Sequence, residues 1–178
     1  GTETMALLPI IIAPDPRLKI KTKPVDKVDA SARQLMDDML ETMYAADGIG
    51  LAAPQIGDKR SVIVVDCAGK EADPQPIMMA NPEILEVSPK DFAHEEGCLS
   101  LPEHFAEVVR PDSIRVRYLD ENSELREIEA DGILAVCIQH EMDHLDGILF
   151  VDHVSALKRN MILRKLKKTK KQAAPAGV

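Results

Sequence analysis

The sequence predicts an α+β fold: antiparallel strands around a central buried metal-binding helix, with one helix before them and one after. Three observations predict it. Apolar residues recur at helical spacing over residues 35–43, 133–145 and 157–166. Between the first two stretches lie short runs that are continuously apolar or alternate apolar with charged, as strands do, broken by Pro, Asn and Gly. There is no internal repeat and no linker long enough to divide the chain, so its 178 residues are read as a single domain, 1–178.

The elements follow in order. GTET, residues 1–4, is expected to be a cloning remnant. The apolar start behind it has no basic n-region and no small-residue cleavage site, so no signal peptide is expected. In "DASARQLMDDMLETMYAADG" Asp29 or Ser31 can cap a helix. Its stripe is Leu35, Met36, Met39, Leu40 and Met43, and Gly48 is expected to stop it. "RSVIVVD" is a short buried strand. "PIMMANPEILEVS" holds Pro82 in mid-run and is predicted as strand, turn, strand. In "SIRVRYLDENSELREIEAD", Ile114, Val116 and Tyr118 alternate with Arg115 and Arg117 ahead of turn residues 120–123, which predicts a hairpin with one buried face. A helix begins near Asp131 and ends at Asp146 and Gly147. "ILFVDHV" is expected to be briefly extended. Ser155 caps a last helix, 155–171, and residues 172–178 are expected to be disordered.

Charge is unevenly placed. From His153 onward there is no acidic residue, but eight of the 22 basic ones: Lys158, Arg159, Arg164, Lys165, Lys167, Lys168, Lys170 and Lys171. The remainder carries 14 basic against 30 acidic residues, a net charge of −16. An acidic body does not suit DNA, and no DNA partner is expected; the basic helix is the place to look for a polyanion. No run of 18 apolar residues occurs, so no membrane partner is expected. The odd cysteine count (Cys67, Cys98 and Cys137), without an export signal, favours a reducing cytosol.

"QHEMDHLDG" carries the chemistry. At about 100° per residue, His144 lies about 40° round from His140 and about 6 Å along the helix, so both imidazoles can reach one metal ion. Glu141 falls on the same side, where it can reach a water rather than the metal. Two histidines can also fall four apart by chance on a surface helix. Here the preceding "ILAVCI" is apolar on nearly every side, and unpaired buried histidines would be costly. A catalytic site needs a third ligand and an open position. His153 is too close and off the helix. Cys98, held between Gly97 and Leu99 in the polar run "HEEGCLSLP", is favoured over Cys67, at a strand end, and over Cys137, one turn before His140. Gly97 permits close backbone approach. Counting back along the helix, Ile133, Val136 and Cys137 share the ligand face and can form an apolar wall suited to a thioether side chain, although they serve equally as core. Among the acids near one cation, Glu96 and Asp143 are candidate partners for the imidazoles, with Arg110 as counter-charge. "GIGLAAPQ" satisfies G-x-G-x-x-A, but it follows a helix and runs into Pro54, so a dinucleotide loop is rejected. It is read as a tight irregular segment whose backbone at Gly48, Ile49 and Gly50 can lie against a ligand while Gln55 presents an amide. A plain helix stop and turn is the competing reading.

"GIGLAAPQ", "EGCLS" and "QHEMDHLDG", in that order, resemble the three signature motifs of the peptide deformylases, and "DPRLKIKTKPV" fits the same family. The similarity runs from about Leu8 to the last helix. The resemblance implies a metallohydrolase, cytosolic in bacteria, that removes the formyl group from N-formylmethionine on nascent chains and releases formate. It implies one divalent metal ion, Fe2+ in the family, with Zn2+, Ni2+ or Co2+ in purified material. It implies Glu141 as general base, and the Gln55 amide with the Leu99 backbone N–H as donors to the carbonyl oxygen. In some members an Arg that touches peptide substrates follows the cysteine motif; Phe105 occupies that place here. The expected partners are N-formylmethionyl peptides and, through the basic C-terminal helix, the ribosome and its RNA.

Overall fold

A computed structural model describes residues 6–173. The expectations for residues 1–4 and 174–178 lie outside the described residues. At 172 and 173 the expected disorder gives way to helical backbone, since the last helix runs to Ala173.

The elements in chain order are α1 (Ala30–Ala45), β1 (Gly50–Ala52), β2 (Val62–Val65), β3 (Ile77–Val87), β4 (Asp91–Cys98), β5 (Leu101–Pro111), β6 (Ser113–Leu119), β7 (Leu125–Asp131), α2 (Gly132–Leu145) and α3 (Ala156–Ala173). Five strands form an antiparallel sheet in the order β1-β2-β3-β6-β7, and β4 and β5 pair apart from it as a long hairpin. Strand β2 explains why "VIVV" is apolar throughout. Side chains alternate across a sheet, and both faces of this one are covered. Val62 and Val64 pack with Leu35, Met36, Met39 and Met43 of α1. Ile63 and Val65 pack with Ala135 and Ile138 of α2. Helix α2 is therefore pressed between the sheet and the hairpin, which sets its second half at the centre of the molecule. A third cluster joins the hairpin (Leu101, Ala106, Val108) to the N-terminal segment, Phe150 and the α3 residues Ile162 and Leu166. Each fully buried aliphatic or aromatic side chain in these clusters contributes about 1.5–3 kcal/mol relative to exposure.

Caps follow local chemistry. The Asp29 carboxylate accepts from the Ala32 N–H at 2.8 Å, so Asp29 rather than Ser31 caps α1. Ser155 Oγ accepts from Lys158 N at 3.2 Å at the start of α3. Asp47, not Gly48, takes the left-handed backbone beyond α1, with φ 58°. Gly48 is small for another reason: a Cβ there would lie 2.7 Å from Leu99 Cδ1.

Four further expectations are corrected. "PIMMANPEILEVS" is one strand, β3, whose register with β6 shifts between Ala80 and Glu83. Pro82 sits in that irregularity, where its missing N–H costs no ladder bond. "ILFVDHV" is not extended: residues Phe150–His153 form a 3-10 turn, closed by Asp152 Oδ2 accepting from the Leu149 N–H at 2.9 Å. "GIGLAAPQ" is ordered as β1 followed by a 3-10 turn over Ala53–Ile56, because β2 offers β1 an open edge. On α3, Ile162 and Leu166 are buried, whereas Leu157 and Met161 are exposed, so the docking stripe is narrower than the apolar spacing suggests. No helix among the described residues is long and apolar enough to cross a membrane.

Candidate metal centre and active site

The site forms where the tip of the β4–β5 hairpin meets the second half of α2. The hairpin keeps regular pairing up to Gly97 opposite Phe105, then shifts register so that Cys98 stands opposite Leu101. Cys98, two residues after Glu96, lies on the same face of β4, over α2. There the Cys98 Sγ lies 3.4 Å from His144 Nε2, and one donor atom each from Cys98, His140 and His144 falls within 4.8 Å of the others. This is the only such group of three or more metal-ligating side chains among the described residues. Glu141, Cys67, Cys137 and His153 stand outside it. The two imidazoles meet edge to face at 67°, their centroids 5.1 Å apart.

His140 is held from behind. Its Nδ1 lies 2.9 Å from Glu96 Oε1, and Arg110 forks onto the same carboxylate, with Nε to Oε2 at 2.6 Å and Nη2 to Oε1 at 2.9 Å. Burial works against ionising Glu96, but hydrogen bonds from His140 and Arg110 outweigh it and hold the carboxyl at about 2. An ionised Glu96 only accepts, so Nδ1 carries the proton and Nε2 is left for a metal. Arg110 Nη1 also donates to Asp143 Oδ2 at 2.9 Å.

Burial alone would push His140 down, but the Glu141 carboxylate and hydrogen bonds to Cys98 and Glu96 raise it well above the ordinary histidine value. Burial and the neighbouring His140 charge push His144 well below it. One soft sulfur and two imidazoles suit a divalent transition metal. Beside these ligands the buried Glu141 Oε1 has no hydrogen-bond partner. The donor set and the partnerless carboxylate oxygen together fit a metal with a water next to it. Burial pushes the Glu141 carboxyl up to about 7, where it can both take and give a proton near neutral pH.

A cavity of about 490 Å³ opens on this centre. Gly48, Ile49 and Gly50 border it on one side, Glu96, Gly97 and Leu99 on another, and Val136 and Cys137 at depth; Ile133, 40% exposed, stands at its mouth, and Gln55 also borders it. A Cβ on Gly50 would lie 2.7 Å from Cys137 Sγ and meet the Glu141 carboxylate, so only glycine leaves that carboxylate its place. Gln55 is fixed at both ends: Oε1 accepts from the Ala52 N–H at 2.9 Å, and Nε2 donates to Ser100 Oγ at 3.0 Å while lying 3.5 Å from Cys98 Sγ. Phe105 is 56% exposed, and its ring covers Gly97 closely enough that a Cβ there would meet it at 2.5 Å. Sequence reasoning missed two residues. Ser100 aims Gln55, and its place inside "EGCLS" was the available signal. His153 joins Asp143 at 2.8 Å, and nothing in its local sequence marks it.

The sequence profile of the Polypeptide deformylase family matches residues 7–160, which include all three members of the metal group. The chain belongs to the peptide deformylase family. It is 53% identical to the peptide deformylase of Mesorhizobium japonicum over 171 residues, covering 96% of this chain and 97% of that one. Among solved structures, the peptide deformylase of Ehrlichia chaffeensis superposes with a TM-score of 0.89 at 40% identity, covering 94% of this chain and 98% of that one. That of Legionella pneumophila gives 0.87 at 44% identity, covering 96% and 99%. Family and metal site together make this deformylase a metal-dependent hydrolase that removes an N-formyl group.

Proposed function

We propose that this deformylase acts on N-formylmethionyl peptides with Fe2+ held by Cys98, His140 and His144, with Glu141 as the proton carrier and Gln55 and Leu99 as carbonyl donors. The observation that carries the reading is the buried Glu141 carboxylate, with one partnerless oxygen beside the metal group and at the head of an apolar cavity. A bound divalent metal lowers the pKa of water at the site and polarises the formyl oxygen. Glu141 then accepts the proton of the attacking water and passes it to the leaving amine, a task suited to a carboxyl near neutrality. The Gln55 amide is aimed by Ala52 and Ser100, and its second N–H, now lying 3.5 Å from Cys98 Sγ, is the one that would turn to the developing oxyanion; the Leu99 N–H follows directly on Cys98. Val136 and Cys137 receive the methionine thioether, with Ile133 closing over it at the mouth. Zn2+, Ni2+ or Co2+ suit the same ligands, so activity and metal content belong on one sample. The test is formate release from a formyl-Met peptide beside an acetyl-Met control; equal hydrolysis of both would identify a general aminoacyl amidase instead.

The same reading extends to the ribosome. Buried Ile162 and Leu166 anchor α3, so Arg164, Lys165, Lys167 and Lys168 are exposed on a fixed helix. The acidic remainder makes that helix the side that attracts RNA phosphate, with no interleaved aromatics to read bases. Reversing those four residues to Glu should leave peptide deformylation intact and reduce co-sedimentation with ribosomes at low salt; unchanged co-sedimentation would reject the contact.

A further inference from the structure

The bonds that hold His140 continue past Arg110. Asp143 Oδ2 takes two donors, Arg110 Nη1 at 2.9 Å and His153 Nε2 at 2.8 Å. The resulting chain runs His140–Glu96–Arg110–Asp143–His153. It begins in the core and ends on the 3-10 turn after α2, at a residue that binds no metal and belongs to none of the three motifs. Burial decreases along it: the side chains of Glu96 and Arg110 are 4% and 6% exposed, Asp143 is 22% and His153 37%. Three bonds set the guanidinium plane of Arg110, two to Glu96 and one to Asp143. The first two are sealed in protein. The third depends on a carboxylate that water can reach and rotate.

We propose that His153 is a positioning residue for the metal centre: by pinning Asp143 it fixes the Arg110 plane, and so the aim of Glu96 at His140 Nδ1. The proposal rests on reading Cys98, His140 and His144 as the metal ligands. Without His153, Asp143 is shared between Arg110 and solvent, the fork on Glu96 loosens, and His140 presents Nε2 less rigidly. The competing account is local. Asp143 lies in α2 and His153 in the turn that follows, so their bond could serve only to staple the turn to the helix, with no effect on metal.

Zinc-loaded full-length protein separates the two. Loss of zinc to an excess of chelator is timed for wild type, His153→Phe and His153→Gln, with thermal melting of each. Replacing a direct partner of a metal-binding imidazole costs about 10–100-fold in affinity; three links further out, His153→Phe should speed zinc loss about three- to tenfold. His153→Gln, whose amide nitrogen can reach the same carboxylate, should restore the rate to within about twofold of wild type. In a Glu96→Gln background His153→Phe should add nothing, because the path is already cut. Zinc loss from His153→Phe at the wild-type rate, or equal acceleration with Glu96 absent, overturns the positioning role alone. A wild type that retains no zinc overturns the ligand reading and this proposal with it.

Discussion

The proposed mechanism turns on Glu141, because its environment and the task proposed for it require the same thing. A buried carboxyl near 7 is costly as an anion and useful as a shuttle. Glu141→Gln keeps the shape and removes the base, so metal content should stay at one equivalent while kcat falls by about 10²–10⁴-fold. Elemental analysis beside steady-state kinetics checks both halves. Glu96 makes the opposite case. Its carboxyl is depressed from 4.5 to about 2, so its contribution is fully present above its unfolded value and is lost as pH falls towards 2. In metal-free protein, the stability gap between wild type and Glu96→Gln should be widest above about pH 5, of the order of 3 kcal/mol at most, and should close near pH 2. Denaturant titrations across that range read it directly; a gap independent of pH would contradict an ionised Glu96.

At the scale of the element, α2 depends on how it ends. Gly147 has φ 74°, and a Cβ there would lie 2.6 Å from the Lys19 carbonyl oxygen, a backbone atom that cannot swing aside. The close approach lets the N-terminal segment cross the end of α2, where Thr22 N donates to Leu145 O at 2.8 Å. Gly147→Ala should therefore cost about 2–3 kcal/mol, more than the usual penalty for a left-handed alanine, seen as a lower urea midpoint with unchanged slope. The β4–β5 hairpin depends instead on its register shift. Cys98 follows Glu96 by two residues and so shares its face towards α2, while the three extra residues Pro102, Glu103 and His104 loop out on the β5 side.

Across the whole molecule, a bound metal would add a further tie between the hairpin and α2, which already share the Glu96–His140 and Arg110–Asp143 bonds. Cys98 belongs to the two-stranded hairpin and the histidines to the helix behind the five-stranded sheet. A ligand bound only by the folded state stabilises it by about 2.7 kcal/mol at 100 times its dissociation constant. For a chain of this size that is about 5–10 °C in melting temperature. Stripping the metal with a chelator should lower the midpoint by that amount, and adding the ion back should restore it. An unchanged midpoint would mean that the apo site is already held rigid by the Glu96–Arg110 pair.

The sequence by itself determined the α+β class, the three helices, the β6–β7 hairpin, and the metal group with Glu141 beside it, because each leaves a local mark: an apolar period, a cap, or two histidines one turn apart. Only the tertiary structure decided the rest. Nothing local shows β4 and β5 to be strands, since "HEEGCLSLP" is polar and half-exposed and its order comes from pairing across the hairpin. "PIMMANPEILEVS" stays one strand despite Pro82 because its neighbours tolerate an irregularity. Leu157 and Met161 carry the apolar spacing of a docking face yet lie exposed, because α3 docks on the body through Ile162, Leu163 and Leu166 instead. Ser100 and His153 acquire their roles through partners 45 and 10 residues away. A side chain's period is written in its own segment, but its partner is chosen by how distant segments pack.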